Sequence, residues 1–549
     1  MYNYIPTDDE IKLVTQSTKD VYVKIELLNK DLSFAGTTFE GNLISDNFSM
    51  DGESHQRRSY NCELFVKNFS FLVGYDKKIW INKYIRVYYG IKSLIKRKNL
   101  IDQKPYGFLE NNVYYWLIGT FTYVNVEYNF TGTDNTLSLT CADIMADFDG
   151  TKNGQITVDK PTAISSKDSI NQTGYSVKIP AGQDMYDTIV ALLDNAGIGE
   201  TRRQIQMSQG DIQIPHTIEH TDGVTYNDVW QELCDLCEVS NKWEYFFDVD
   251  GTFIWRKCPS GGSGADNERV ILDNTVLDKI FVSEQTSVDF STIYNVTEVW
   301  GKSILLENED RYASECTYSN GVYSITLNLE KKDRDIPSGY EDKIIAYLDN
   351  LERIGILIPS TNTTDITKIK IDNFPAMTIC DSSGTPIGKN RLKANTVYVF
   401  SYRWSNSLEI VDTMYLMGAT QPYGRYEETS EDCPFSTTNL GYQIVQRIND
   451  EGYEYDDMCY NKAQYMTYSS TQMMDTITLQ TLMIPWLDCN QKIRYVSQYV
   501  EDRKSKLADV DNAPLYIIKS ISWSTLDGTM SMTLYRFVPT LAYVLAQSK

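Results

Sequence analysis

The chain has 549 residues, 51 basic and 74 acidic, for a net charge of −23. That balance excludes a protein whose main task is to grip nucleic acid, because phosphate binding needs a basic footprint. It leaves room for a surface past which nucleic acid slides without sticking.

At 42% hydrophobic the chain can bury several cores, and its length predicts three or four domains. Thirty-nine tyrosines and nine tryptophans in a turn-rich sequence favour β structure. Ten cysteines run from Cys62 to Cys489 without framework spacing, so they read as free thiols rather than a disulfide scaffold. The first residues show no basic region followed by an apolar run, and no apolar stretch approaches membrane-spanning length.

In chain order, residues 1–19 read as a loose arm. Strand follows strand from Asp20: Val21–Leu27, Phe39–Met50, Ser59–Lys67, Tyr84–Ile91, Val113–Asn125 and Thr136–Cys141 alternate at period two between turn residues. Such a run without helices predicts an antiparallel barrel or sandwich over residues 1–150, with Ala142–Phe148 as a short closing helix. One loop stands apart. Lys92, Lys96, Arg97, Lys98 and Lys104 form a basic island in an acidic chain, either a solvated hairpin tip or a docking surface for an acidic partner.

Residues 151–262 read as an α+β region. Asp184 caps a helix whose apolar face is Ile189, Leu192, Leu193 and Ala196, with Gly197 past its end. An extended passage, Gln204–Ile214, follows. Thr225 then starts a second helix, with Asp228 at the capping-box spacing and Val229, Trp230, Leu233, Cys234 and Cys237 on one face. The period switches at Asn241. Trp243, Tyr245 and Phe247 alternate with Lys242, Glu244 and Phe246, Asp248–Gly251 turns, and Phe253 and Trp255 alternate back. One helix on one aromatic hairpin is a packing unit without a reactive group, and Trp230, Leu233, Trp243, Phe253 and Trp255 are its expected brace residues.

The Gly/Ser-rich run Ser260–Gly264 marks a boundary. Strands are expected at Val276–Ser283, Ile293–Trp300, Ser303–Leu306 and Val322–Leu329 across residues 263–338. A small β domain is expected over 339–418, with strands at Ile354–Ile358, Ile366–Ile371 and Val397–Tyr402; Ile344–Leu348 is a strand unless Asp342–Glu352 is a helix. In the β-rich remainder, 419–549, a helix over Asp456–Tyr468 precedes strands at Asp475–Ile484, Lys492–Tyr499, Leu515–Ser524 and Thr529–Phe537, with Arg503–Asn512 as a charged loop.

Candidate chemistry is sparse. His216-Thr217-Ile218-Glu219-His220 matches the letters of an inverted zinc-peptidase motif. That motif needs a helix, whereas Pro215 and the β-branched residues here predict extended chain, which would set the two histidines about 13 Å apart. Cys234-Asp235-Leu236-Cys237 has no second pair and sits on an apolar helix face, so buried thiols are expected. Asp248-Val249-Asp250-Gly251 lacks the closing glutamate of a calcium loop and reads as a hairpin turn. No catalytic residue, metal or cofactor is assigned, and the chain is expected not to be an enzyme.

The helix-then-hairpin unit over 225–255 resembles that of the tail-hub proteins of tailed bacteriophages: the baseplate hub of contractile tails and the tail-associated tip protein of long non-contractile ones. Four other stretches agree in order. Val23–Leu27 with Phe39–Met50 resembles the opening barrel strands, and Tyr294–Gly301 the strand leading into a second barrel. Ile484–Asn490 and Tyr516–Trp523 resemble the C-terminal region. Leu392–Phe400, within 339–418, is similar to a small β domain inserted in phage tail and fibre proteins.

The resemblance implies a mainly β fold with small α+β parts: two tail-tube-like β-barrels joined by helix-plus-hairpin units, with an inserted small β domain. It implies a structural virion protein at the tail tip or baseplate, assembled in the bacterial cytoplasm. Such a hub is a homotrimer adapting a sixfold tube to a threefold tip. A tail-tube or distal tail protein lies above it, the tape-measure C-terminus inside, and tip or receptor-binding proteins below. Phage DNA passes through the lumen without specific binding. The alternative is host-surface glycan recognition by the 339–418 domain through aromatics such as Tyr402, Trp404 and Tyr415, against the plainer reading that these aromatics fill a small β core. The chain ends at Lys549 without an appended cell-wall-cleaving domain, so a tail-lysin role is not expected.

Overall fold

The computed structural model describes residues 4–536 except 40, 67–71, 76, 94–99, 101, 103, 133–134, 153–154, 157–170, 174–175, 215–216, 221–222, 238–242, 259–273, 304–310, 314, 334–335, 337, 407–409, 420, 472–474, 499, 501–502, 509–513 and 526. The chain is mainly β and forms two compact units, residues 1–289 with 473–549, and residues 290–472.

The first unit is organised by a sheet of thirteen strands. Its spatial order is Phe281–Val288, Asp475–Leu482, Thr529–Arg536, Leu515–Ser524, Gly41–Asp51, Arg58–Val66, Asn135–Asp143, Val113–Phe130, Tyr84–Lys92, Val21–Leu28 and Phe34–Thr38. Lys492–Arg494 and Gly107–Glu110 pair at its side. The N-terminal and C-terminal strands thus belong to one sheet, joined where Phe48–Asp51 runs antiparallel to Ser520–Trp523. Alternation explains which face is buried. Along Arg58–Val66 every second residue, from Arg58 through Tyr60, Cys62, Leu64 and Val66, is buried. These side chains enter a core with Trp116, Phe121, Trp486 and Trp523.

The second unit carries an eight-stranded sheet, in the order Arg311–Ala313, Arg353–Ile358, Thr396–Asn406, Ile410–Gly418, Met377–Cys380, Lys368–Ile371, Val322–Ile325 and Cys316–Ser319. Its two end strands are consecutive in sequence, with only residues 314 and 315 between them, so the sheet curls until its ends meet. Tyr323, Ile354, Ile356, Ile369, Phe400, Tyr402 and Met414 fill the interior. Beside it, Val296–Trp300 pairs antiparallel with Tyr423–Glu427 and parallel with Val445–Asn449, and the helix Asp456–Ser470 packs on that small sheet.

Several local expectations change. The arm over residues 1–19 contains a helix, Asp8–Val14, whose Thr7 and Glu10 form a capping box. Glu10, Leu13 and Val14 are buried there, and the Trp116 indole N–H donates to Glu10 Oε1 at 2.8 Å. The expected strand at Val276–Ser283 is a helix, Asn274–Ile280, followed by Phe281–Val288. Its β-branched residues suggested a strand, but Leu277 and Ile280 bury one helical face. Ile344–Ala346 is a single 3-10 turn. Arg503–Ala508 is helical rather than loop, and the rest of that stretch to residue 513 lies outside the described residues. The Ser260–Gly264 boundary and most of the expected strand at Ser303–Leu306 lie outside them too.

Candidate functional site: a buried ionic cluster beneath the brace

The brace begins with the cap. Asp228 N–H donates to Thr225 Oγ1 at 3.1 Å, and the Thr225 amide and hydroxyl both donate to Asp228 Oδ2, at 2.9 and 2.8 Å. The helix Tyr226–Cys237 that follows buries Val229, Trp230, Leu233, Cys234, Leu236 and Cys237. The hairpin pairs Trp243–Phe247 antiparallel with Phe253–Lys257. Its turn closes through Gly251 N–H to the Asp248 carbonyl at 2.9 Å, with Gly251 at φ +87°. A Cβ there would stand 2.4 Å from Leu32 Cδ1, so both backbone angle and space demand glycine.

Rings bind helix to hairpin. Trp230 lies 5.0 Å from Phe253 and 5.7 Å from Phe148, and Tyr245 stacks on Trp255 at 5.2 Å. His55 stacks on the other side of Tyr245 at 3.9 Å. The five expected brace residues Trp230, Leu233, Trp243, Phe253 and Trp255 are all buried.

The strand expected from the alternation at Trp243 is present, and all five residues of Trp243–Phe247 are buried, Glu244 among them. Glu244 meets buried charge. Arg57 Nη2 and Asn490 Nδ2 donate to Glu244 Oε2, and Arg256 Nε donates to Glu244 Oε1 at 2.6 Å. The Arg57 guanidinium carbon lies 3.5 Å from the centre of the Phe246 ring, a cation–π contact. Arg58 donates to Asp488 Oδ2 and, at 2.6 Å, to the Phe247 carbonyl, with Asp248 Oδ1 3.6 Å away. Arg57, Arg58, Glu244, Asp248 and Asp488 are each less than 9% exposed.

Three distant segments therefore meet in this cluster: the strand start at Arg57 and Arg58, the hairpin, and the C-terminal stretch Asp488–Asn490. Burial opposes ionisation of Glu244, but the Arg256 and Arg57 guanidiniums outweigh it and hold the carboxyl below its ordinary range. Burial also opposes ionisation of Asp488, yet its carboxyl lies below the ordinary range, with the Arg58 guanidinium the largest of the opposing charges. Further contacts fix the turn, with Thr120 Oγ1 donating to the Val249 carbonyl at 2.7 Å and Tyr106 to Asp250 Oδ2 at 2.8 Å. Each ionised group of the cluster has a buried counter-charge within 4.0 Å, so the cluster ties the three segments together.

Asp143, at the rim, is different. It accepts Arg58 N–H at 3.0 Å and Met145 N–H at 2.9 Å, yet complete burial pushes its carboxyl up to about 7. Its folded pKa lies above the unfolded value, so the native state holds a proton that the unfolded chain has released. Its contribution therefore favours the fold at low pH and is lost as pH rises from the ordinary carboxylate range to about 7. The stability gap between wild type and Asp143→Asn should change in wild type's disfavour between about pH 4 and pH 7, measured by thermal melts. A gap independent of pH would contradict the shift.

The remaining sequence candidates fall elsewhere. Ile218–His220 is a strand paired with Ser176–Ile179, and His220 Nε2 lies 2.9 Å from Glu232 Oε2 on the brace helix. Glu219 points to Lys178 at 3.4 Å, and His216 lies outside the described residues. Of the basic island, Lys92 lies 3.7 Å from Asp20, and Lys104 lies over Phe108, 5.2 Å from the ring centre. Lys96, Arg97 and Lys98 lie outside the described residues. In the 339–418 region Tyr402 is wholly buried and donates to Asp412 Oδ1 at 2.6 Å, while Trp404 packs against the same core. Tyr402 and Trp404 are thus core-filling, because alternate positions along Thr396–Asn406 face the barrel interior, whereas Tyr415 is half-buried outside that core with the Arg403 guanidinium 4.5 Å from its ring centre. Arg57, Arg58, Glu244 and Asp488 were not singled out in the sequence; an adjacent arginine pair at a strand start was the one available signal.

A family model described as a domain of unknown function (DUF5048) matches residues 432–541. A comparison with curated proteins finds no match. Among solved structures, the chain is similar to the 43 kDa tail protein of prophage MuSo2 from Shewanella oneidensis, at 8% identity and TM-score 0.45, covering 94% of this chain and 98% of that one. It is similar to a tail protein from Neisseria meningitidis MC58 at 7% identity and TM-score 0.42, covering 94% and 96%. It is also similar to the E. coli c3393 protein, described as a type VI secretion component, at 6% identity and TM-score 0.34, covering 94% and 77%. None of the three reaches a TM-score of 0.5, so none fixes a residue correspondence for this chain.

Proposed function

We propose that this chain is a structural subunit: the hub of a bacteriophage tail tip or baseplate, working as a multi-copy assembly in the virion. The observation that supports this most is the end strand Phe281–Val288. One of its edges pairs with Asp475–Leu482, and the other meets no strand among the described residues. An open edge invites pairing with another chain, and proteins that stay single blunt such edges with lysine, proline, bulges or cover. The stretch Phe-Val-Ser-Glu-Gln-Thr-Ser-Val has neither lysine nor proline; its one register irregularity lies at its start, between Phe281 and Ser283, and it pairs regularly from Ser283 to Val288, with Val282 and Val288 46% and 40% exposed. The strand is also held firmly. Glu284 accepts from Tyr495 Oη at 3.0 Å, from Gln498 N–H at 3.0 Å and from the Ser497 hydroxyl.

In this reading the brace fixes the geometry of the thirteen-stranded sheet, and three copies close a ring that adapts a sixfold tube to a threefold tip. The net charge of −23 suits a lumen through which DNA passes without sticking. Tail-tube, tape-measure and tip proteins are its partners, and Lys92 and Lys104 remain docking candidates. The test is the copy number in the assembled object, by mass measurement and particle symmetry. Several copies related by rotation support the hub; a single copy in the particle contradicts it.

A further inference from the structure

Within the second unit, the eight-stranded barrel and the small sheet are tied together at the start of the helix Asp456–Ser470. Its first two residues, Asp456 and Asp457, are partly buried, and each holds a different element. Asp456 Oδ1 accepts the Tyr423 N–H of the small sheet at 3.0 Å. Asp457 accepts the Ser382 hydroxyl and, at 3.4 Å, the Ser382 N–H, both from the barrel turn that follows Met377–Cys380. That turn is closed by Gly384 N–H donating to the Asp381 carbonyl at 3.0 Å and Asp381 N–H donating to the Thr385 carbonyl at 2.8 Å. At the end of the barrel strand Ile410–Gly418, a Cβ on Gly418 would stand 2.5 Å from Asp456 Oδ1, so the carboxylate lies against backbone. Just before the helix, Tyr455 is buried, and Arg403 of the barrel donates to its hydroxyl.

The joint gathers acids. Asp456 faces Asp457 on its own helix and Arg391 from the segment before Thr396–Asn406. Asp457 faces Asp381 of the barrel turn. Cys459, one turn along the helix, faces both aspartates and Asp450, and burial pushes its thiol up to about 12, so it stays neutral. Burial outweighs Arg391 and the Tyr423 N–H and holds the Asp456 carboxyl up at about 6. Burial, with Asp381 adding to it, also pushes Asp457 up against its Ser382 donors. Carboxyls raised above their solvated value favour the closed joint in acid, and that contribution is lost as pH rises from the ordinary carboxylate range through about 6.

We propose that this joint is an acid-tightened clasp: with Asp456 and Asp457 protonated, the barrel turn and the small sheet stay seated on the helix start, and ionisation of the pair loosens them. The clasp is a property of the second unit and does not depend on the hub reading.

The test is amide hydrogen exchange of the full-length chain at about pH 5 and about pH 8, expressed as protection factors so that the intrinsic pH dependence of exchange is removed. The Tyr423 and Ser382 amides report the two arms. In wild type the Tyr423 protection should fall by at least about tenfold between the two pH values, the change expected of a carboxyl near 6 when the joint is closed and near 4 when it is open. Asp456→Asn removes the titrating group and should abolish most of that fall. Ser382→Ala removes a donor to Asp457 and should lower protection at both pH values. Wild-type protection equal at the two pH values would overturn the clasp. An Asp456→Asn chain whose protection falls as steeply as that of wild type would overturn it too, by placing the titration elsewhere.

Discussion

Glu244→Gln is expected to destabilise the first unit by about 3–5 kcal/mol, the cost of breaking a buried ion pair from one side. Two guanidiniums converge on this carboxylate, from Arg57 at the strand start and from Arg256 across the hairpin, and Asn490 adds a third donor from the C-terminal stretch. Glutamine keeps the volume but removes the charge, and its amide group presents donors to donors. Arg57 is then left buried with only Asp488 Oδ1, 3.9 Å from its Nη1, as counter-charge.

A loss of that size is a large share of the roughly 5–15 kcal/mol that holds a typical domain folded. Urea or thermal melts of the full chain read it directly. The pH behaviour gives a second readout. Because the folded pKa of Glu244 is depressed, its contribution is present above the unfolded carboxylate range and is lost as pH falls through the folded value. The gap between wild type and Glu244→Gln should therefore narrow in strong acid. A midpoint unchanged by the substitution at neutral pH would mean that the cluster is solvated and contributes little.

Trp230→Ala is expected to cost about 3–5 kcal/mol through the cavity it leaves. Trp230 is wholly buried, with Phe148, Tyr226, Tyr245 and Phe253 around it at centroid distances between 5.0 and 6.2 Å. Its indole N–H meets no hydrogen-bond partner among the described residues, so the expected loss is one of packing. Trp230→Phe should consequently recover much of the stability. The same substitution should impair particle assembly in proportion to the loss of folded chain, because the brace holds the Asp488–Asn490 stretch against the N-terminal strands. A Trp230→Ala chain that melts and assembles like wild type would count against the brace. Both substitutions act on one packed unit, so their effects should not add.

The brace was legible because its signals are local. The capping spacing of Thr225 and Asp228, the apolar face through Val229, Leu233 and Cys237, and the switch to period two at Trp243 all lie within one window. The helix capped by Asp184 and ended before Gly197, at φ +78°, was readable for the same reason. The charged cluster was not. Arg57 and Glu244 stand 187 residues apart, and Arg58 and Asp488 stand 430 apart. In sequence, Arg57 and Arg58 look like a solvated pair, and Glu244 occupies the polar position of an alternating strand. Only the meeting of three remote segments buries them, and no local period encodes that. The N-terminal helix was missed similarly: Leu13 and Val14 sit in a short acidic stretch, and their burial depends on a core assembled from strands remote in sequence.

The central claim is that this chain acts by its shape within a multi-copy hub. Electron cryomicroscopy of the assembled particle tests it most directly. The account predicts three copies related by a threefold axis, stacked beneath a sixfold ring, with the brace of each copy intact. A single copy per particle, or a chain absent from the tube axis, would contradict it.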